Sequence, residues 1–245
     1  SNFSGSYGFA LILKKKNYLF VDGRYTLQAK IQSGSLFEIL NIPKEMPNIV
    51  LKDRKLKIGF NPKLFTSKTL EKLFDKTNCI LLPIRYDLID KIWARKQISN
   101  NAKFYYLNDH DVGLTVKRKI NLIIKNLKKI KADFQFITAS ENNAWLFNIR
   151  GQDSNYTPLP NCHVLLDKMK NIYFFCEPKK ISKSFKRRFK DIKFYDLDKL
   201  YLVLSKLENK KILIDKSTCS IFFENLISKR NKILNAIDPI YNLKS

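Results

Sequence analysis

A strand-and-helix pattern running from residue 9 to residue 82 returns from residue 163 to residue 236, and no other feature constrains the fold of this 245-residue chain as strongly. In the first pass, residues 9–13 (FALIL) read as an apolar strand, 14–17 as a turn and 18–21 as the returning strand. Residues 25–33 follow as a helix with Leu27 and Ile31 on one face and Gly34 as its cap. A strand at 55–60 comes next. Then come a helix at 67–76 with Leu70, Leu73 and Phe74 inward, a strand at 79–82 and a helix at 87–95.

The second pass has the same order. Residues 163–166 and 172–176 are strands about a turn at 167–171. The helix at 182–190 has Ile181, Phe185 and Phe189 as an apolar stripe and Lys186, Arg187, Arg188 and Lys190 on its wet back. A strand at 211–215, a helix at 217–228 with Ile221, Phe222 and Leu226 inward, and a strand at 232–236 complete it. Phe9 precedes His163 by 154 positions, Ile58 precedes Leu213 by 155, and Ile80 precedes Leu234 by 154. A near-constant offset over three strands implies two copies of one α/β unit, each a mixed sheet flanked by helices.

The copies are unequal. Ahead of its hairpin the second has an amphipathic helix at 115–131, with Ile120, Ile123, Ile124, Leu127 and Ile130 on one side, and a strand at 134–137. An apolar segment at 143–149 follows, in which Trp145 and Phe147 alternate with Asn148 as in a half-buried strand. The first copy has only eight residues in that place. It is therefore expected either to be truncated at its N-terminus by some 45 residues, judged by the length of that extra segment, or to be degenerate. The polar stretch 97–111 is the best boundary, giving domains at 1–108 and 109–245.

At 44% hydrophobic residues the chain can offset its ordering entropy, which excludes a disordered protein. No stretch approaches the roughly 18 apolar residues of a membrane span, and the polar start is unlike a secretory signal. Four scattered cysteines (Cys79, Cys162, Cys176, Cys219) without a CxxC pair fit reduced thiols in the cytoplasm. The net charge of +24 comes from lysines spread along the whole chain, with no nucleic-acid motif. A basic nucleic-acid-binding protein is the rival reading, and counterion release would make its affinity fall steeply with salt.

Four segments carry a family resemblance. Residues 2–8 (NFSGSYG) resemble a GFTGSAG segment, 20–29 (FVDGRYTLQA) a TDGRYFLQA segment, 87–93 (DLIDKIW) an NLIDxIW segment and 144–153 (AWLFNIRGQD) an AWLFNLRGxD segment. In this order they resemble the N-terminal and middle domains of aminopeptidase P, the Xaa-Pro aminopeptidases of the creatinase/prolidase metallopeptidase family. The resemblance implies two tandem creatinase-like domains. It also implies a parent hydrolase that removes the N-terminal residue from peptides with proline in position two, by means of two divalent metal ions, expected to be manganese, in a pita-bread catalytic domain. No segment here resembles that domain, so neither a catalytic residue nor a metal ligand is assigned to this chain. As the resemblance implies, this region would support a homodimer and wall the substrate cleft. A stand-alone binding module that has lost its catalytic domain is the other possibility.

Individual residues have readings of their own. Asp22 and Gly23 fit a turn in which glycine tolerates positive φ, or Asp22 caps the helix that follows, and Arg24 is placed to pair with Asp22. Arg150 and Asp153 leave a strand on a loop. They are the candidates for the substrate cleft, or they pair with each other and close that loop. Asp109-His110-Asp111 looks ligand-like, but adjacent side chains diverge along an extended chain. His163 reads as a core or edge histidine.

Overall fold

The computed structural model describes residues 1–93 and 101–244. The end of the expected helix at 87–95 and the start of the expected boundary at 97–111 therefore lie outside the described residues. Contacts divide the chain into two compact units, Ser1–Phe60 with Lys68–Arg85, and Asn61–Ser67 with Tyr86–Ser245.

In the first unit β1 (Gly8–Ile12) and β2 (Asn17–Asp22) form an antiparallel hairpin. Helix α1 (Thr26–Ser33) leads to β3 (Glu38–Ile42), which lies parallel to β2. A short α2 (Pro47–Val50), β4 (Lys57–Phe60), α3 (Ser67–Phe74) and β5 (Ile80–Pro83) follow, with β4 and β5 parallel. Leu11, Tyr18, Phe20, Leu40 and Leu51 make the core on one face, and Leu19, Val21 and Ala29 a smaller one on the other.

In the second unit α4 (Leu88–Ile92) and β6 (Tyr105–Tyr106) precede α5 (Val116–Lys129), β7 (Phe134–Ile137), α6 (Ser140–Phe147) and β8 (Ile149–Arg150). Then come β9 (His163–Asp167), β10 (Ile172–Phe175), α7 (Lys183–Arg188) and β11 (Ile192–Tyr195). Helix α8 (Asp198–Ser205), β12 (Lys211–Ile214), α9 (Ile221–Ser228), β13 (Lys232–Asn235) and α10 (Pro239–Lys244) finish it. One mixed sheet runs β11-β10-β9-β7-β12-β13. Its two faces bury two apolar cores, one under α5, α6, α7 and α10 and the other under α8 and α9. Burial on both faces is why these strands read as continuous apolar runs.

The repeat is realised element by element. Strands β4 and β12, and helices α3 and α9, stand 154 positions apart. The same offset relates the starts of β3 and β11, strands the sequence pattern did not single out, each lying parallel to the second strand of its hairpin. The units differ at β7, which pairs antiparallel with β9 and parallel with β12 and so fuses two half-sheets into one. Among the described residues of the first unit no strand takes that place, and β1-β2-β3 and β4-β5 are separate sheets. Ile12, on the rim of β1, is left 63% exposed.

Three expectations change. Residues 143–149 are not a strand: Ser140–Phe147 is a helix, stopped by Asn148 in the left-handed conformation at φ 52°. Asn142, Asn143, Ala144, Leu146 and Phe147 are all buried, and burial spread over most of the helix surface leaves little 3.6-residue period to read. In α1, Leu27 and Ile31 do share a face, but they are 76% and 83% exposed. Ala29 and Ser33 are the inward residues, because a small side chain lets the helix lie close on Leu19 and Val21. Gly23 has no positive φ; Gly34, at the end of α1, does, at 57°.

Candidate functional site

Asp22, Gly23 and Arg24 form a local structural turn. The Asp22 carboxylate accepts from the Arg24 backbone N–H at 3.0 Å and from Arg24 Nε at 2.8 Å, so the cap and the ion pair occur together. The Arg24 guanidinium holds the Asp22 carboxyl below the usual carboxylate range.

Arg150 leads to a different feature, a cavity of about 340 Å³ within the second unit. Its polar floor is Lys119 from α5, Asn148 from the end of α6 and Arg150 from β8, with Asp111 beside them. Leu107, Leu114, Trp145 and Leu243 contribute apolar wall. Lys119 is on the inner face of α5 at 3% exposure. Its ammonium donates to Trp145 O at 2.6 Å and to Asn148 Oδ1 at 2.5 Å, and lies 4.0 Å from the centre of the Trp145 ring. The left-handed turn at Asn148 aims that amide at Lys119, while its Nδ2 donates to Leu114 O at 3.1 Å. Burial, helped by the Arg150 charge, lowers the Lys119 pKa to about 8. Lys119 is the residue the sequence pattern missed. Its only signal there is a lysine one position before Ile120 on an otherwise apolar stripe.

Arg150 and Asp153 are not brought together. Arg150 Nη1 donates to Ile149 O at 2.9 Å. Asp153, half-buried, faces the buried Lys180 at 2.5 Å and accepts from Asn161 N at 2.7 Å. The Arg150–Asp153 pair, one of the two readings of this loop, does not form; the loop is closed by a lysine 27 positions further on, which local sequence cannot reveal. Gly151, between the two, sits against the returning chain. A Cβ there would lie 2.8 Å from Pro160 Cα and 2.9 Å from Leu159 O. Gly151→Ala is therefore expected to destabilise the chain by about 1–3 kcal/mol through overpacking against backbone, read as a lower denaturation midpoint. An unchanged midpoint would mean the loop relaxes freely.

The residues present do not fit a metal ion. Among the described residues no three His, Cys, Asp or Glu side chains converge. His110 Nε2 is 2.9 Å from Asp111, and Asp109 is taken by Arg188 at 2.6 Å. His163 lies between the Phe136 and Phe223 rings with its Nδ1 sealed and unpartnered.

Comparison with known proteins gives a consistent result. Residues 1–90 and 95–245 each match a model of the creatinase/prolidase N-terminal domain. The chain is 26% identical over 248 residues to a probable Xaa-Pro aminopeptidase P of Coprinopsis cinerea, covering 92% of this chain and 40% of that protein. It is 29% identical over 199 residues to the Xaa-Pro aminopeptidase app-1 of Caenorhabditis elegans, covering 77% of this chain and 32% of the relative. The crystal structure of an X-prolyl aminopeptidase from C. elegans, described as a cytosolic enzyme with a di-nuclear active site, superposes with a TM-score of 0.84 at 22% identity. That superposition covers 97% of this chain and 42% of the other. The chain thus spans about a third to two fifths of the length of these relatives.

Proposed function

The chain belongs to the creatinase/prolidase N-terminal domain family, and from that premise we propose that it is the non-catalytic N-terminal region of an Xaa-Pro aminopeptidase. The whole protein would remove the first residue of peptides with proline in position two. Its two metal ions, manganese by expectation, would be held by a catalytic domain with residues other than these. The observation that carries this reading is the match of both units, in order, to N-terminal-region models and to a solved aminopeptidase fold. In the same reading this region supports a homodimer and walls the substrate cleft, with Arg150, at the end of β8, and Asp153, on the loop that follows, nearest it. The compartment is the cytoplasm, as described for the C. elegans enzyme. The four free cysteines accord with that, three of them buried. No described helix is long and apolar enough to cross a membrane.

Two measurements test it. Purified chain incubated with an Xaa-Pro-Xaa tripeptide and manganese is expected to release no residue one; turnover would place the catalytic machinery here and overturn the reading. Light scattering is expected to give twice 28.8 kDa. A monomer at high concentration would remove the dimer contact from this region.

A further inference from the structure

Two cations meet on the cavity floor of the second unit without a carboxylate between them. Lys119 spends two of its three N–H donors on Trp145 O and Asn148 Oδ1. Arg150 spends one of five on Ile149 O. Neither makes an ion pair with a carboxylate among the described residues. Asp111, the acidic side chain that lines the cavity, is engaged by His110 at 2.9 Å and by Asn108 Nδ2 at 3.4 Å. A buried lysine is ordinarily paired or shifted toward neutrality. Here it is held beside a second positive charge; burial depresses its pKa first, and the Arg150 charge adds to that. A bound anion would offset the cost of desolvation and the repulsion together, accepting from the Lys119 ammonium and from the guanidinium fork.

The rest of the cavity narrows the ligand. Leu107, Leu114 and Leu243 add apolar wall to the charged groups, and the Trp145 ring lies beside the Lys119 ammonium. Its volume is at the lower end of small-molecule sites, roughly 300–1,000 Å³. A bare inorganic ion would leave that wall without a contact, and a nucleotide would overfill the space.

We propose that this cavity is a carboxylate-binding site, taking a small acid with an apolar substituent: its carboxylate on Lys119 and Arg150, its side group against Trp145. The carboxylate comes either from a free acid or from the C-terminus of a short peptide. The site stands whether or not the chain is part of a peptidase, since nothing in it calls for hydrolysis.

The chain has two tryptophans, Trp93 and Trp145, so Trp93→Phe leaves Trp145 as sole reporter. In that background, 4-methylpentanoate and N-acetylleucine titrated at fixed ionic strength are expected to change Trp145 emission saturably. N-acetylleucinamide, with the same side group and no charge, is expected to leave it unchanged. Arg150→Gln should weaken the acids at least tenfold with an unchanged denaturation midpoint, which separates loss of the site from loss of the fold; Lys119→Met serves as a second variant. Tighter binding of N-acetylleucine assigns the peptide C-terminus as the source, and tighter binding of 4-methylpentanoate assigns the free acid. Equal responses to acid and amide, responses that persist in Arg150→Gln, or no response up to about 10 mM, the edge of specific affinity, would overturn the proposal.

Discussion

Asp238→Ala is expected to cost about 3 kcal/mol, the sum of several buried donors left without an acceptor at roughly 1–3 kcal/mol each, reduced by relaxation and by relief of a buried charge. Asp238 is 4% exposed in the turn between β13 and α10. Its carboxylate accepts from Gln135 Nε2 at 2.8 Å, Asn142 Nδ2 at 2.7 Å and Ile240 N at 3.0 Å. Its own N–H donates to Asp215 at 3.0 Å. Three parts of the second unit, at β7, α6 and α10, therefore meet on its side chain, and its backbone N–H adds the residue after β12. Burial pushes the Asp238 carboxyl up, and the donors hold it down by less. A raised acid favours the fold below the ordinary carboxylate range and loses that contribution as pH rises through the folded value. The alanine variant is expected to lower the denaturation midpoint throughout, and Asp238→Asn, which keeps the shape and one carbonyl oxygen, to lower it less. Equal midpoints for wild type and Asp238→Ala would show that the network contributes nothing.

His163 produces the second large effect, with pH. Its ring is wedged between Phe136 and Phe223, and burial lowers its pKa to about 4. The unfolded chain takes up that proton near the ordinary histidine value of about 6.5. Between these values the unfolded state binds more protons, so stability rises with pH, is complete above about 6.5, and falls as pH drops toward 4. The whole window amounts to about 3 kcal/mol at 1.4 kcal/mol per unit. In His163→Phe, where an aromatic ring keeps the packing, the midpoint should fall less between pH 7 and pH 4.5 than in wild type. If both proteins show the same slope, acid sensitivity resides elsewhere.

The sequence disclosed elements according to how they are buried. Helix α5 was legible from Ile120, Ile123 and Leu127 because one face meets the core and the other meets water. Thr115 capping Arg118 N marks its start. The stripe of Phe185 and Phe189 was legible for the same reason, and Ser182 caps it. Helix α6 was not, since buried residues spread over most of its surface, polar ones among them, blur the period. Strands β3 and β11 escaped notice because each is short and mixes polar with apolar residues. The candidate site was half legible. Arg150 stood out by its place at the end of a strand that runs into a loop, but Lys119 reads locally as one more lysine in a chain rich in them.

By itself the sequence determined the two-copy α/β plan and the inequality of the copies ahead of their hairpins. Both follow from spacing and local pattern, which are properties of neighbours along the chain. The tertiary structure alone decided that β7 joins the second sheet into one, that Asp153 goes to Lys180 and not to Arg150, and that Lys119 and Arg150 share a cavity floor. Those outcomes depend on which segments, tens of residues apart, arrive at the same place. Pairing between charges is decided by where packing leaves them, so no local pattern could have announced it.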